Sequence, residues 1–412
     1  MTGPGRYGHP NGFWLLAPAL VVAGAAGCQQ GRMITGGVRA IWVTRFDYRS
    51  ADDVSRIMDD CSRGGFNVVV FQVRGNGTVF YPSKIEPWAE QFDFASPGFD
   101  PLALAVQEAH KRDMELHAWV NVMPAWRGTK PPACPDHLYN SHPEWFWYDQ
   151  HGNRQPLSTF YVSLNPCLPE VRAYLVEVFR ELVANYPIDG LHLDYIRFPS
   201  EPPAIPPGSD IDYPRDAKTL ELYRQATGLD PDANEAAWDR WRTDQVTQLV
   251  ADIRMMVRWT RPSAALSASV GAEYEESLRY FRDDRRWAQE KLIDAAFLMN
   301  YRPDLASFDA RLAGWLPLQD TVTVVPGLWF APRTDTAKGI DVVRQQIQSA
   351  LQKTGNFCVF SYGSLFDVRN DRDGFGSESA AAGRPSGASQ QREARRRALL
   401  PVTRFAQPLQ PA

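Results

Sequence analysis

Two hydrophobic rhythms alternate from residue 38 to residue 365. Short stretches whose apolar residues run together or recur at every second position predict strands at 38–45, 66–74, 114–121, 187–197, 266–271, 294–301, 321–328 and 356–362. Between them apolar positions return every three or four residues, which predicts helices at 51–63, 101–112, 233–260, 305–316 and 338–353. Leu168, Val171, Leu175, Val178 and Leu182 make a further stripe just before the fourth strand. Asp100 followed by Pro101 is an N-cap and first-turn pair. Strand and helix keep alternating with no second block of composition, so the expected fold is α/β, a single (β/α)8 TIM barrel with long βα loops. An open doubly wound sheet is the alternative, but no GxGxxG follows the first strand.

The fourth strand is the most informative. In PIDGLHLDYIRFP (187–199), Leu191 and Leu193 point to one face while Gly190, His192 and Asp194 point to the other. In a closed barrel the apolar face meets the helices and the polar face fills the interior, opening at the C-terminal rim. Asp194 falls at that rim, because Pro199 and the prolines behind it stop the strand near Arg197. A plainer role for Asp194 is a turn cap or an ion pair with Arg197. Asp189 lies five positions earlier, roughly 16 Å away and on the other face, and closes the turn into the strand. His192 is an interior residue one layer deeper that helps orient the carboxylate. Residues 114–121 repeat the parity, with Leu116, Ala118 and Val120 outward and His117, Trp119 and Asn121 inward.

The ends read differently. Arg6, the apolar run 13–23 and the small residues Ala25-Ala26-Gly27 before Cys28 form a signal segment at 1–28, of the type in which the cysteine is lipidated. The barrel spans 38–368, a Gly, Ser, Ala and Arg-rich insertion 369–391, and a last helix and tail 392–412. Localisation is therefore the cell envelope, as a membrane-anchored lipoprotein with its anchor on Cys28, or a periplasmic or secreted protein. Export permits disulfides, and Cys134 with Cys167 is the expected pair. A net charge of -4 over 412 residues leaves no global attraction to nucleic acid. With no CxxC or HExxH, no metal and no cofactor are expected. A phosphate-handling barrel is disfavoured by the missing Gly-rich loop after the last two strands. Thirteen tryptophans are on the rich side; most fill the core, and any exposed at loop tips are what sugar rings stack on. The 122–166 loop, with Trp126, His142, Trp145, Trp147 and Tyr148, is too long for a mere connector.

RAIWVTRFD at 39–47, FNVVVFQVR at 66–74, DPLALAVQEAHKRDMELHAWVN at 100–121, DGLHLDYIRFP at 189–199 and DDRRWAQEKLIDAAFLMNY at 283–301 together resemble the bacterial glycosyl-hydrolase-like family 10. The resemblance covers roughly residues 38–365. It implies a (β/α)8 barrel, an exported envelope protein and hydrolysis of glycosidic bonds, with peptidoglycan glycan strands as a suspected polysaccharide substrate. Family members often carry Pro-Gln where Met299-Asn300 stand, so Asn300 offers a shorter version of that amide contact.

Glycoside hydrolysis needs two carboxyl groups, about 5–5.5 Å apart for retention or 6.5–9.5 Å for inversion. Asp194 is one. Glu273, just past the fifth strand, is the preferred second because the fourth and fifth strands are neighbours; Asp47 and Asp304 are the rivals. Similarity to alpha-amylase-like barrels makes Asp194 the nucleophile and Glu273 the general acid, near Tyr274, with the reverse assignment open. Glu273 is otherwise a solvated member of an acidic loop with Glu275 and Glu276. Arg74, Asn121, His192, Asn300 and Tyr301 are candidate substrate contacts, and Trp126, Trp147 and Trp329 candidate stacking platforms. Arg74 alternatively pairs with Asp194. A barrel that binds envelope carbohydrate without turnover is the competing function.

Overall fold

The computed structural model describes residues 37–199, 209–330, 336–366 and 388–404. In chain order the strands are β1 (Arg39–Val43), β2 (Val68–Arg74), β3 (Glu115–Asn121), β4 (Pro124–Gly128), β5 (Ser158–Ser163), β6 (Gly190–Asp194), β7 (Ala265–Gly271), β8 (Ala295–Met299), β9 (Thr323–Trp329) and β10 (Phe357–Phe360). The helices are α1 (Ala51–Arg63), α2 (Pro101–His110), α3 (Leu138–Ser141), α4 (Pro169–Asn185), α5 (Ala217–Thr227), α6 (Glu235–Thr260), α7 (Tyr274–Leu278), α8 (Asp284–Gln289), α9 (Leu305–Ala313), α10 (Ala337–Thr354), α11 (Tyr362–Leu365) and α12 (Ala388–Arg404). All strands except β4 and β5 pair in parallel in the order β1-β10-β9-β8-β7-β6-β3-β2, and β1 also pairs with β2, so the sheet closes. This is the (β/α)8 TIM barrel that the alternation predicted.

Alternation within each strand separates two cores. Leu191, Leu193, Leu116, Ala118 and Val120 lie in the layer between barrel and helices, whereas Trp42, Val70, Trp119, Phe297 and Val325 fill the barrel itself. Four strands are preceded by an Asn or Asp that fixes register at the lower rim. Asn67 accepts the Arg39 N–H, Asp189 that of Leu116, Asp294 that of Leu266 and Asn356 that of Val38, at 2.7–2.8 Å. Each side chain thus satisfies a strand-end donor that has no ladder partner.

Three expectations change. The fourth barrel strand ends at Asp194 rather than near Arg197, because Tyr195 takes a left-handed conformation (φ 49) and its N–H turns back to Asp194 Oδ1 at 2.7 Å. The 122–166 stretch is not simply loop, since it holds the antiparallel β4–β5 hairpin and α3. The Cys134–Cys167 bridge is not formed. Both are free thiols, with Cys167 buried ahead of α4 and Cys134 half-buried in the hairpin loop. The signal segment 1–28 and most of the 369–391 insertion lie outside the described residues. Within α12, Arg392, Arg395 and Arg396 donate to the carbonyls of Gly363, Ser364 and Leu365 at the end of α11, which explains the basic character of this last helix.

Candidate active site

The site is built upward from an aromatic floor. Inside the barrel, Trp42, Trp119 and Phe297 surround the His192 ring at centroid distances of 4.9–6.5 Å. His192 Nε2 accepts from the Trp42 indole N–H, and its ring nitrogens also meet Ser267 and Ser269 hydroxyls at 2.9 Å. Burial, helped by nearby His117, pushes its pKa well below the usual range, so the ring is neutral. It is fully buried and shaped into the floor, so it presents no atom to a ligand at the mouth.

Asp194 stands one layer higher, at the carboxyl end of β6, 7% exposed. Arg197 Nη1 lies 3.7 Å from its Oδ1, and the Arg197 guanidinium in turn covers the Tyr195 ring at 4.3 Å. Burial raises the Asp194 carboxyl above the ordinary range, outweighing Arg197, the Tyr195 N–H and Arg282. Tyr301, after β8, feels the Asp194 charge and packs beside Trp329 and Phe360 at 5.9 and 5.8 Å. Trp329, at the end of β9, is 37% exposed. Asn121 pairs in register with Asp194 across β3 and β6; its Oδ1 accepts from Gln72 while its buried Nδ2 has no partner. The structure therefore gathers Asp194, Asn121, Tyr301 and Trp329 around one mouth.

Other expected residues are engaged elsewhere. Arg74 is fully buried, forks onto Glu86 at 2.6 and 2.8 Å and donates to the Asn121 and Val122 carbonyls, clamping β2 to the loop after β3. Asn300 donates to the Phe308 carbonyl in α9. Trp126 and Trp147 are buried, their indole N–H groups on the carbonyls of Lys130 and Leu164. Asp47 accepts the Thr44 N–H and hydroxyl, and Asp304 caps α9 through Ser307. Glu273, just ahead of α7, is half-exposed. Its Oε1 takes Arg311 Nε at 2.6 Å and Arg302 Nη2 at 3.4 Å, on an open cleft of about 650 Å³ between the loops that follow β7 and β8.

The sequence reading missed Arg282. It is buried, its guanidinium drawn down to about 10 by that burial against the opposing charge of Asp284, and it carries positive charge toward Asp194. Asp284 holds it at 3.2 Å while accepting the Gly271 N–H and Ser277 hydroxyl. Nothing local in the sequence marks Arg282, since only barrel closure brings the loop after α7 to the end of β6.

A model of the glycosyl hydrolase-like 10 family matches residues 37–326, from the lead-in to β1 through the first half of β9. The chain belongs to the glycosyl hydrolase-like 10 family. The relatives it matches include glycosyl hydrolase DigH of Escherichia coli (strain K12), 29% identical over 292 residues that cover 63% of this chain and 60% of that protein. Glycosyl hydrolase YngK of Bacillus subtilis (strain 168) is 29% identical over 293 residues, 62% of this chain and 52% of that protein. The match thus spans between half and two thirds of the length of these relatives. Among solved structures, alpha-L-fucosidase isoenzyme 2 from Paenibacillus thiaminolyticus superposes with a TM-score of 0.54 at 14% identity, covering 79% of this chain and 46% of that one. The catalytic domain of beta-amylase from Paenibacillus polymyxa gives 0.54 at 10% identity, with coverage of 83% and 96%. At such identities the barrel itself is what is shared. Within the family frame, Asp194 and Tyr301 both lie inside the matched segment, and Trp329 lies just beyond it.

Proposed function

We propose that this member of the glycosyl hydrolase-like 10 family is a glycoside hydrolase of bacterial envelope polysaccharide, with peptidoglycan glycan strands as the candidate substrate. One observation carries the reading: a buried carboxyl, Asp194, at the C-terminal rim of a closed barrel, its proton held more tightly than in an ordinary aspartate, beside the exposed ring of Trp329. That environment fits a general acid better than a nucleophile, the reverse of the amylase-like assignment. Glu273 is the preferred second carboxyl and would serve as base or nucleophile once freed from Arg311. Asn121 and Tyr301 would hold sugar hydroxyls or an N-acetyl group, and Trp329 would stack on a ring. Export with a lipid anchor on Cys28 would keep the chain beside such a substrate.

A binding role without turnover is supported by a separate observation, that Glu273, Asp47 and Asp304 are all bonded within the protein. Release of soluble fragments from purified glycan strands separates the two readings. Turnover by the wild type that falls at least a hundredfold in Asp194→Asn, with binding retained, supports the hydrolase. No release by either protein, with strands still bound, leaves the binder.

A further inference from the structure

Arg45 follows β1 at the catalytic rim and is 1% exposed, yet its guanidinium makes one hydrogen bond, from Nη2 to the Tyr161 hydroxyl at 3.1 Å. Its Nε and Nη1 are buried without a partner. Arg74 bonds through all three of its nitrogens, whereas Arg45 has besides that one bond only the ring faces of Phe46 at 4.4 Å and Tyr161 at 5.9 Å, and a buried guanidinium so short of acceptors is costly unless something else completes it. The loop after β2 wraps closely round it. A Cβ on Gly75 would stand 2.6 Å from Arg45 Nε, so a larger residue there would have to displace the guanidinium. The next residue, Asn76, is fully buried with its amide turned toward the Glu90 carboxyl, and the buried Thr78 hydroxyl has no partner. Open hydrogen-bond capacity on Arg45 and Thr78, buried side chains of adjoining segments, marks a polar cluster that the fold leaves incompletely satisfied.

Charge says what this cluster lacks. Arg45 and Arg127 both act on the Glu90 carboxyl, as does Arg49, which donates to the Gln91 carbonyl. Three guanidiniums thus act on a single carboxyl whose own burial raises its pKa, which leaves positive charge in excess among these described residues. Asp47, two residues on, is turned to Thr44. The cluster also borders the candidate active site, since the Tyr161 ring meets Tyr195 at 5.1 Å and Tyr195 directly follows Asp194.

We propose that Arg45, with Asn76 and Thr78, forms an anion subsite of the substrate groove that takes the carboxylate of an acidic sugar residue. A planar carboxylate matches a guanidinium fork, and the Asn76 amide and Thr78 hydroxyl supply further donors. Glu90 and Tyr161, both half-buried, form the outer wall that the incoming sugar parts. The proposal rests on the glycan-hydrolase reading and narrows it to glycans bearing free carboxylates, whether lactyl ethers or uronic acids.

The test is equilibrium binding to the full chain carrying Asp194→Asn. The probes are two matched pairs: peptide-free peptidoglycan strands with free or methylamidated lactyl carboxyls, and oligogalacturonate with free or methyl-esterified carboxyls. The subsite requires the free acid of at least one pair to bind about tenfold tighter than its neutralised partner. Which pair shows it identifies the source. Arg45→Gln should bring the ratio close to one at unchanged melting temperature; should that variant not fold, Arg45→Lys, which keeps the charge but loses the fork, should lower it several-fold. Ratios within twofold of one in both pairs overturn the proposal, as does a preference that survives the Arg45 variant that folds. Cleavage of the neutral strands by the wild-type chain reads the parent hypothesis independently. Turnover without acid preference sinks the subsite alone, and acid preference without turnover on any strand sinks the hydrolase alone.

Discussion

Asp194→Asn should inactivate the protein and at the same time make it more stable. The substitution keeps an acceptor for the Tyr195 N–H, which now sits 2.7 Å from Oδ1, and removes only the charge. Arg197 at 3.7 Å attracts that charge by about 4 kcal/mol at an effective dielectric near 20. Taking a carboxylate out of water costs several kcal/mol, and the raised pKa says that here burial wins. The net gain on neutralisation is therefore a small difference of large terms, on the order of 1 kcal/mol at neutral pH, or about 2 °C in melting temperature for a domain of this size. The sign with pH follows from linkage. A carboxyl whose folded pKa lies above its unfolded value contributes most at low pH and loses that contribution as pH rises through the folded pKa. The variant should thus match the wild type at pH below the unfolded aspartate value, exceed it as pH rises through the folded pKa, and keep a constant lead from there to pH 8. Melting curves across that range, paired with glycan-release rates, measure both effects. A variant that melts lower than wild type at pH 8, or one whose release rate stays within tenfold, would refute the reasoning.

Three further outcomes are expected. Glu273→Gln should cut glycan release at least a hundredfold if Glu273 is the second carboxyl, while Arg311→Met, which removes its main ion-pair partner, should change the release rate severalfold; rates unchanged in both variants return Glu273 to a surface ion pair. Gly190→Ala places a Cβ 2.5 Å from His117 Nδ1 in the filled barrel interior, so the urea midpoint should fall by the equivalent of about 1–3 kcal/mol. Asn356→Ala removes the acceptor for the Val38 N–H and the donor to the Val324 carbonyl, loosening β1 and β9 on either side of β10. A loss of about 2–3 kcal/mol is expected, with faster exchange of the Val38 amide hydrogen as its local signature.

The family motifs and strand parity carried most of the fold. Leu191 and Leu193 outward with His192 and Asp194 inward is a local property of the chain, because successive side chains on a strand leave opposite faces. Eight such stretches separated by helical stripes leave few arrangements other than a closed barrel, and the rim position of Asp194 follows. The hairpin in residues 122–166 was less legible, since only the last two residues of the β5 strand it pairs through are buried and the strand carries little hydrophobic rhythm. Arg74 looked like a substrate hand because it ends a strand; Glu86, twelve residues on in an irregular loop, turned it into a clamp.

By itself, then, the sequence determined the barrel, its inside and outside, and the rim carboxyl, all of which depend on periodicities that neighbouring residues impose on one another. Only the tertiary structure decided which polar groups are spent and which are left with capacity. Glu273 meets Arg311 and Arg302, and Arg282 nears Asp194, because closure juxtaposes loops far apart in the chain. Arg45 is left short of partners for the same reason, since its surroundings come from the loop after β2 and from the β4–β5 hairpin. Burial and the charges that face a buried group are properties of the closed fold, and they set both the proton affinity of Asp194 and the demand for an anion at Arg45.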